Sequence, residues 1–320
     1  MARSPGIPHR AKLVAAFLTL YVVWGSTYLA IRIGLQADMP PTLFSGIRMA
    51  SAGLLLFALA RLRGTRVRMR PGEYRVVAVV GVLLLCGGMY FTVLAEQYIH
   101  SGLSALIVAV VPLWTAGAEW LLPGMDRPTA RGLAGLVIGL AGLGLLMYPR
   151  LAGEQGSGLE FLGIGLQLFA TWTWTAGSMY SKRKPIKTDG TVATGFEMLT
   201  AGALLLVLGL ALGEAPRMAH VTPTGFAALA YLTVVGSALA FTAFMWLLRN
   251  APASKVMTYA YVNPAVAVLL GWLVLREPLD GWMLAGTAVI VAGVALTTSA
   301  PVRRAAHKDD DVPEVSPAEA

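Results

Sequence analysis

Ten blocks of mostly apolar residues, separated by short polar connections, run along this 320-residue chain: Leu13–Ile33, Leu43–Ala60, Val76–Tyr98, Gly102–Leu122, Gly132–Tyr148, Leu159–Tyr180, Val192–Leu212, Gly225–Leu248, Ala253–Leu275 and Met283–Ser299. A continuous apolar run of about 20 residues spans the hydrocarbon core of a bilayer as an α-helix. Membrane β-barrel strands would alternate lipid-facing and lumen-facing residues over about 10 positions, and no such alternation is present. The pattern predicts an all-α polytopic membrane protein with ten transmembrane helices and very little chain outside the bundle.

Composition agrees with the pattern. Hydrophobic residues make up 56% of the chain and charged residues 13%, about half the share usual in a soluble domain. The formal charge of +8 does not imply a nucleic-acid partner, because the basic residues sit between apolar blocks, where they orient a membrane protein. Arg3, Arg10 and Lys12 ahead of the first block resemble a signal peptide. That block is long for one and many more follow, so it is read as an uncleaved first helix. With the N-terminus placed inside, the inner connections receive Arg61, Arg63, Arg66, Arg68 and Arg70, Arg127 and Arg131, Lys182, Arg183, Lys184 and Lys187, and Arg249 and Lys255. Arg303, Arg304 and Lys308 follow in the tail. The outer side keeps Arg32, Arg48, Arg150, Arg217 and Arg276. Both termini are therefore expected in the cytoplasm, and residues 300–320, rich in charge and proline, as a disordered cytoplasmic tail. The single cysteine, Cys86, allows no internal disulfide.

The two halves repeat one another at an offset of about 150 residues. Trp24 falls on Trp174, Ala52-Gly53 on Ala201-Gly202, Phe91-Thr92 on Phe241-Thr242, Pro112 on Pro264, Trp120 on Trp272, and Gly135 and Gly142 on Gly286 and Gly293. Five helices per half is an odd number, so the second half enters from the opposite side of the membrane. The expected units are residues 11–149, a first five-helix repeat, and residues 158–299, a second and inverted one. Inverted repeats are common in secondary transporters, with the substrate near the midplane between them.

With Trp24-Gly25-Ser26-Thr27 in the first helix and the Pro112 and Pro264 helices, this arrangement resembles the drug/metabolite transporter superfamily. Within it, the chain is similar over roughly residues 11–299 to the ten-helix EamA-domain exporters, and by whole-chain likeness to bacterial exporters of amino acids, the aromatic ones among them. The resemblance implies efflux of small metabolites across the bacterial inner membrane, through a central cavity lined by helices 1, 3, 4, 6, 8 and 9.

Polar groups at bilayer depth are costly and point to function. Tyr21, Trp24 and Tyr28 share one face of the first helix with Thr27 beside them, and Gln167, Thr171, Trp174 and Ser178 share one face of the sixth. Tyr90 and Gln97 lie on one face of the third, and Ser237, Thr242 and Trp246 are on the eighth; Tyr98 and Trp246, near interfaces, fit anchors. Tyr259 and Asn263 stand one turn apart beside Pro264. The expected substrate-binding set is Trp24, Thr27, Tyr28, Tyr90, Gln167, Thr171, Trp174, Tyr259 and Asn263, aromatic faces with hydroxyls and amides that suit a zwitterionic, partly apolar solute; the competing reading is helix packing. Pro112 and Pro264 are candidate hinges, since a proline inside a helix frees the carbonyl four residues earlier; a static kink is the alternative. Glu96 and Glu119 are candidate coupling groups that could equally meet interfacial water or an arginine. Glu197, taken as the opening of the seventh helix, fits a dipole-favoured N-terminal acid. Arg32 and Arg48, near the outer ends, fit snorkelling to headgroups, with carboxylate binding as the alternative. The glycines of the fifth and tenth helices form packing faces or a dimer contact.

No GxxxxGK[ST] sequence provides an ATP site, no HExxH pattern a metal site, and no catalytic constellation an enzyme; no cofactor is expected. The reading is a secondary exporter of amino acids or related small metabolites, working by alternating access as monomer or homodimer with lipid around it. A multidrug exporter or importer of the same fold, a channel and a membrane-embedded enzyme are the rivals.

Overall fold

A computed structural model describes residues 9–121, 129–151, 158–251, 253–257, 259–279 and 281–299; the expected cytoplasmic tail, its basic residues and Arg127 lie outside the described residues. These residues are helical, with no strand among them. The helices are α1 (His9–Gln36), α2 (Pro41–Leu62), α3 (Glu73–Ala95), α4 (Ser101–Leu121), α5 (Ala130–Leu151), α6 (Gly158–Arg183), α7 (Gly190–Ala211), α8 (Pro223–Asn250), α9 (Tyr259–Leu270, continuing as a π-helical turn through Gly271–Leu275) and α10 (Gly281–Ser299). Among the described residues six of them, α1 to α4, α7 and α8, are long and apolar enough to cross a membrane. Many large apolar side chains face outward, Leu54, Val207 and Leu210 among them, as they do in a protein solvated by lipid.

Sequence chemistry explains the element boundaries. Pro41 stands at the first position of α2, where its missing N–H costs nothing. Asp189 caps α7, its Oδ1 accepting from the N–H groups of Thr191 at 2.9 Å and Val192 at 3.2 Å. That start corrects the reading of Glu197: it lies two turns inside α7 and is buried, away from the N-terminal dipole. At Pro112 the helix is interrupted, with Ala109 and Val110 forming a turn between Ser101–Val108 and Val111–Leu121. Pro264 lies inside a continuous helical stretch.

The seams between helices rest on glycine. A Cβ added to Gly202 would come 2.5 Å from the Ala50 N, and one added to Gly53 2.9 Å from the Gly195 O, so α2 and α7 touch backbone to backbone. In the same way a Cβ on Gly293 would meet the Gly139 N at 2.4 Å, and one on Gly142 the Ile290 N at 2.6 Å. The glycine faces of α5 and α10 therefore close on each other within one chain, which settles their role as packing. α2 packs on α7, α5 on α10 and α4 on α9, while the α3–α6 contact is matched by α8–α1. Each contact maps onto itself or onto its counterpart under the offset between the halves. The π-helical segments repeat as well: Val82–Tyr90 in α3 has its counterpart at Leu232–Leu239 in α8.

Three carboxylates tie helix starts to distant chain. Glu214 accepts from the Thr42 N–H at 3.2 Å, the Thr42 hydroxyl at 2.8 Å and the Leu43 N–H at 2.7 Å. Glu277 does the same for Ser101 and Gly102 at the start of α4. Glu73 accepts from Lys187 and Thr188, just ahead of α7. Glu214 and Glu277, themselves buried, satisfy N–H groups that a helix terminus leaves open, whereas Glu73 holds the connection just ahead of the Asp189 cap. Glu277→Ala removes every one of these acceptors for α4, at an expected cost of about 2 kcal/mol. Thermal unfolding in detergent checks this: the variant should melt several degrees lower, whereas an unchanged midpoint would remove the cap from the account.

Candidate functional site

Among the described residues, the largest aromatic cluster stands where the two halves meet. The Trp24 ring meets the edge of Trp174 at 5.4 Å and of Tyr259 at 4.9 Å between centroids, and Phe244 backs both indoles at 5.2 and 4.9 Å. Trp24 ends a π-helical turn, Leu20–Trp24, a local widening frequent at functional sites. Its indole N–H donates to the Gly236 carbonyl at 3.2 Å, within the π-helical segment of α8. The two matched tryptophans thus contact each other.

Trp24, Trp174 and Tyr259 wall a cavity of about 70 Å³. Of the expected binding residues, Trp24, Thr27, Tyr28, Gln167, Thr171, Trp174 and Tyr259 line it. Polar groups on its wall are oriented by bonds between helices. Gln167 donates from Nε2 to the Thr92 hydroxyl at 3.3 Å and accepts at Oε1 from the Ser104 hydroxyl at 3.0 Å. The Thr171 hydroxyl accepts from the Trp114 indole N–H at 3.0 Å and donates to the Leu168 carbonyl at 2.7 Å. Thr27 donates to the Trp24 carbonyl at 2.7 Å.

Two expected binding residues stand elsewhere. Tyr90 is buried toward α2, its hydroxyl 3.0 Å from that of Thr42. Asn263 is fully buried; with its amide oriented to match its surroundings, the NH2 group lies 3.1–3.3 Å from the carbonyls of Tyr259, Tyr21 and Leu20 and shares its two hydrogens among them. It satisfies backbone groups at the π-helical turn of α1, a role that explains an amide beside a proline without any ligand. Pro112 and Pro264 do not line the cavity, but Val108 and Val111, on either side of the turn before Pro112, do. Glu119 is half-buried on α4, away from the cavity lining. Glu96 follows directly after α3 and is fully buried; its carboxylate oxygens make no hydrogen bond among the described residues. The Arg32 guanidinium, half-buried nearby, donates to the Glu96 backbone carbonyl at 2.5 Å.

The lining departs from the expected helices at one point. α8 does not reach the cavity; Trp24 and Arg48 cover its Gly236 carbonyl and Ser237 hydroxyl. α2 reaches it instead, through Arg48. Arg48 is 2% exposed, so snorkelling is corrected to burial inside the bundle. The helix starts at Pro41, two residues earlier than the apolar block, which places position 48 two turns deep. Met89 and Thr92 also line the cavity, and only the repeat of Phe91-Thr92 hinted at the second.

Comparison with known proteins accords with this arrangement. The signature of the EamA-like transporter family matches twice, over residues 11–148 and 161–299. The chain is 38% identical over 290 residues to the inner membrane transporter YedA of Escherichia coli, covering 89% of this chain and 90% of that one. It is 28% identical to the transporter YvbV of Bacillus subtilis, covering 91% and 92%. A solved crystal structure with 21% identity superimposes with a TM-score of 0.66 over 89% of this chain and 96% of the other, and so shares the fold.

Proposed function

Since this chain belongs to the EamA-like transporter family and is a multi-pass membrane transporter, we propose that it exports amino acids or closely related small metabolites by alternating access. The observation that carries the proposal is the cavity between the halves. Its wall pairs Trp24 of one repeat with Trp174 of the other and adds the Gln167 amide and the Thr27 and Thr171 hydroxyls. Aromatic faces hold an apolar side chain, and fixed donors and acceptors hold a polar head.

In this reading all ten helices cross the membrane, as two inverted units over residues 11–149 and 158–299. The pairing of α2 with α7 and α5 with α10, and the matched π-helical segments of α3 and α8, support it. Exchange of conformation between similar halves then opens the cavity to either side, with Pro112 and Pro264 as hinges. The break at Ala109–Val110 beside the cavity supports the first of them. The basic connections set both termini in the cytoplasm of a bacterial cell. Glu96, buried beside Ser104 and Arg32, is the proposed coupling group.

Proteoliposome uptake tests the substrate class. With the purified protein and a panel of labelled amino acids and common cationic drugs, at least one amino acid is expected to enter above protein-free liposomes. Movement of drugs alone would replace the amino-acid reading by multidrug export.

A further inference from the structure

Arg48 is a buried, permanent charge with spare donors. Arginine stays protonated under any physiological condition and carries five N–H donors. Here the Nε–H donates to the Ser237 hydroxyl at 2.7 Å, and one terminal nitrogen meets only the Met89 sulfur, at 3.9 Å. Sulfur is a weak acceptor. Among the described residues Arg48 makes no ion pair, and neither oxygen of the buried Glu96 carboxylate accepts a hydrogen bond from it. A buried charge left without a partner is strongly unfavourable, yet this one lines the cavity.

We propose that Arg48 binds the carboxylate of the transported solute, supplying the anion-binding end of the cavity whose aromatic end is Trp24, Trp174 and Tyr259. Arg48 is the one charged residue on the described lining. One guanidinium balances a singly charged carboxylate, whereas a phosphate dianion would require more cations or donors than this wall holds. The fork of the guanidinium matches both oxygens of a carboxylate. Ser237, from the π-helical segment of α8, holds Nε and so aims the fork. The solute's positive group, if it has one, falls toward Gln167 and Thr171, which present oxygens. The proposal rests on the amino-acid reading for its choice of ligands but concerns a separate contact.

The test is binding to the detergent-purified full chain, followed by tryptophan fluorescence and calorimetry. The probes are L-phenylalanine, 3-phenylpropionate, L-phenylalaninamide and phenethylamine, with L-leucine and isovalerate as aliphatic acids. The wild type is expected to bind an acid about 100-fold more tightly than its amide or amine counterpart, as for a desolvated charge pair. Arg48→Gln is expected to erase that preference. Arg48→Lys, which keeps the charge without the fork, should keep the preference but lose about 10-fold in affinity, and it serves if the glutamine variant does not fold. Equal binding of acid and amide by the wild type overturns the proposal. So does a preference that survives in folded Arg48→Gln, or failure of every acid to bind a protein with a native melting curve. Binding of 3-phenylpropionate without either amino acid would end the amino-acid reading and leave the role of Arg48 standing.

Discussion

Gly202→Leu is expected to break the α2–α7 seam and destabilise the protein by about 3 kcal/mol or more. The reason is geometric. A Cβ at this position would lie 2.5 Å from the Ala50 N and 2.8 Å from the Ala50 Cα. Both are backbone atoms, so no rotamer change relieves the clash and the two helices must part. Between membrane helices, where lipid is as apolar as leucine, close packing is itself the adhesive. Separation therefore forfeits contacts along a seam that also includes Gly46, Gly53 and Gly209. A control is available in the same chain: a Cβ on Gly165 meets nothing within 4 Å, so Gly165→Leu should leave the melting temperature unchanged. Size-exclusion chromatography and thermal unfolding in detergent compare the two. Equal melting points for both variants would mean that the seam does not hold the fold.

The second large effect is expected at Trp24. Trp24→Ala should weaken solute binding by about 2–4 kcal/mol, which is roughly 30- to 1,000-fold. Its ring touches Trp174, Tyr259 and Phe244, and its N–H fixes α1 to the Gly236 carbonyl of α8. Truncation removes a wall of the cavity and a tie between helices together. Because an emptied core position also costs stability, Trp24→Phe separates the two effects. Phenylalanine restores most of the wall but not the N–H, so it should regain most of the stability and a part of the affinity. Trp174→Ala should behave like Trp24→Ala, because the two indoles face the same space. A folded Trp24→Ala protein with wild-type affinity would show that these rings serve packing alone.

Much of this was legible in the sequence because lipid imposes a simple rule on a chain: apolar runs of spanning length must be helices. The repeat was legible for a similar reason. Ala52-Gly53 and Ala201-Gly202 recur because both mark places where α2 and α7 approach backbone to backbone, and only a small residue fits there. The aromatic face of α1 and the polar face of α6 could be read from helical spacing, and they meet at the cavity.

What escaped was whatever depends on partners distant in the chain. Arg48 looks like an interfacial residue until the depth of α2 and the position of Ser237 are known. Asn263 looks like a ligand-binding amide until the carbonyls of Leu20 and Tyr21 stand beside it. Glu214 and Glu277 sit in short connections and resemble solvated charges, yet each caps a helix more than a hundred residues away in sequence. The π-helical segments carry no local signature; the one in α8 is met by Trp24 and Arg48, which lie far away in the chain.

In the proposed function, the cavity shared by the two halves carries solute across the membrane as a saturable carrier. Counterflow tests it most directly. Proteoliposomes loaded with unlabelled L-phenylalanine are diluted into a trace of labelled L-phenylalanine, and the label inside is followed with time. The account predicts a transient overshoot of label that saturates with concentration and disappears in Trp24→Ala. A flux that rises linearly with concentration, accompanied by electrical conductance and unaffected by Trp24→Ala, would contradict it.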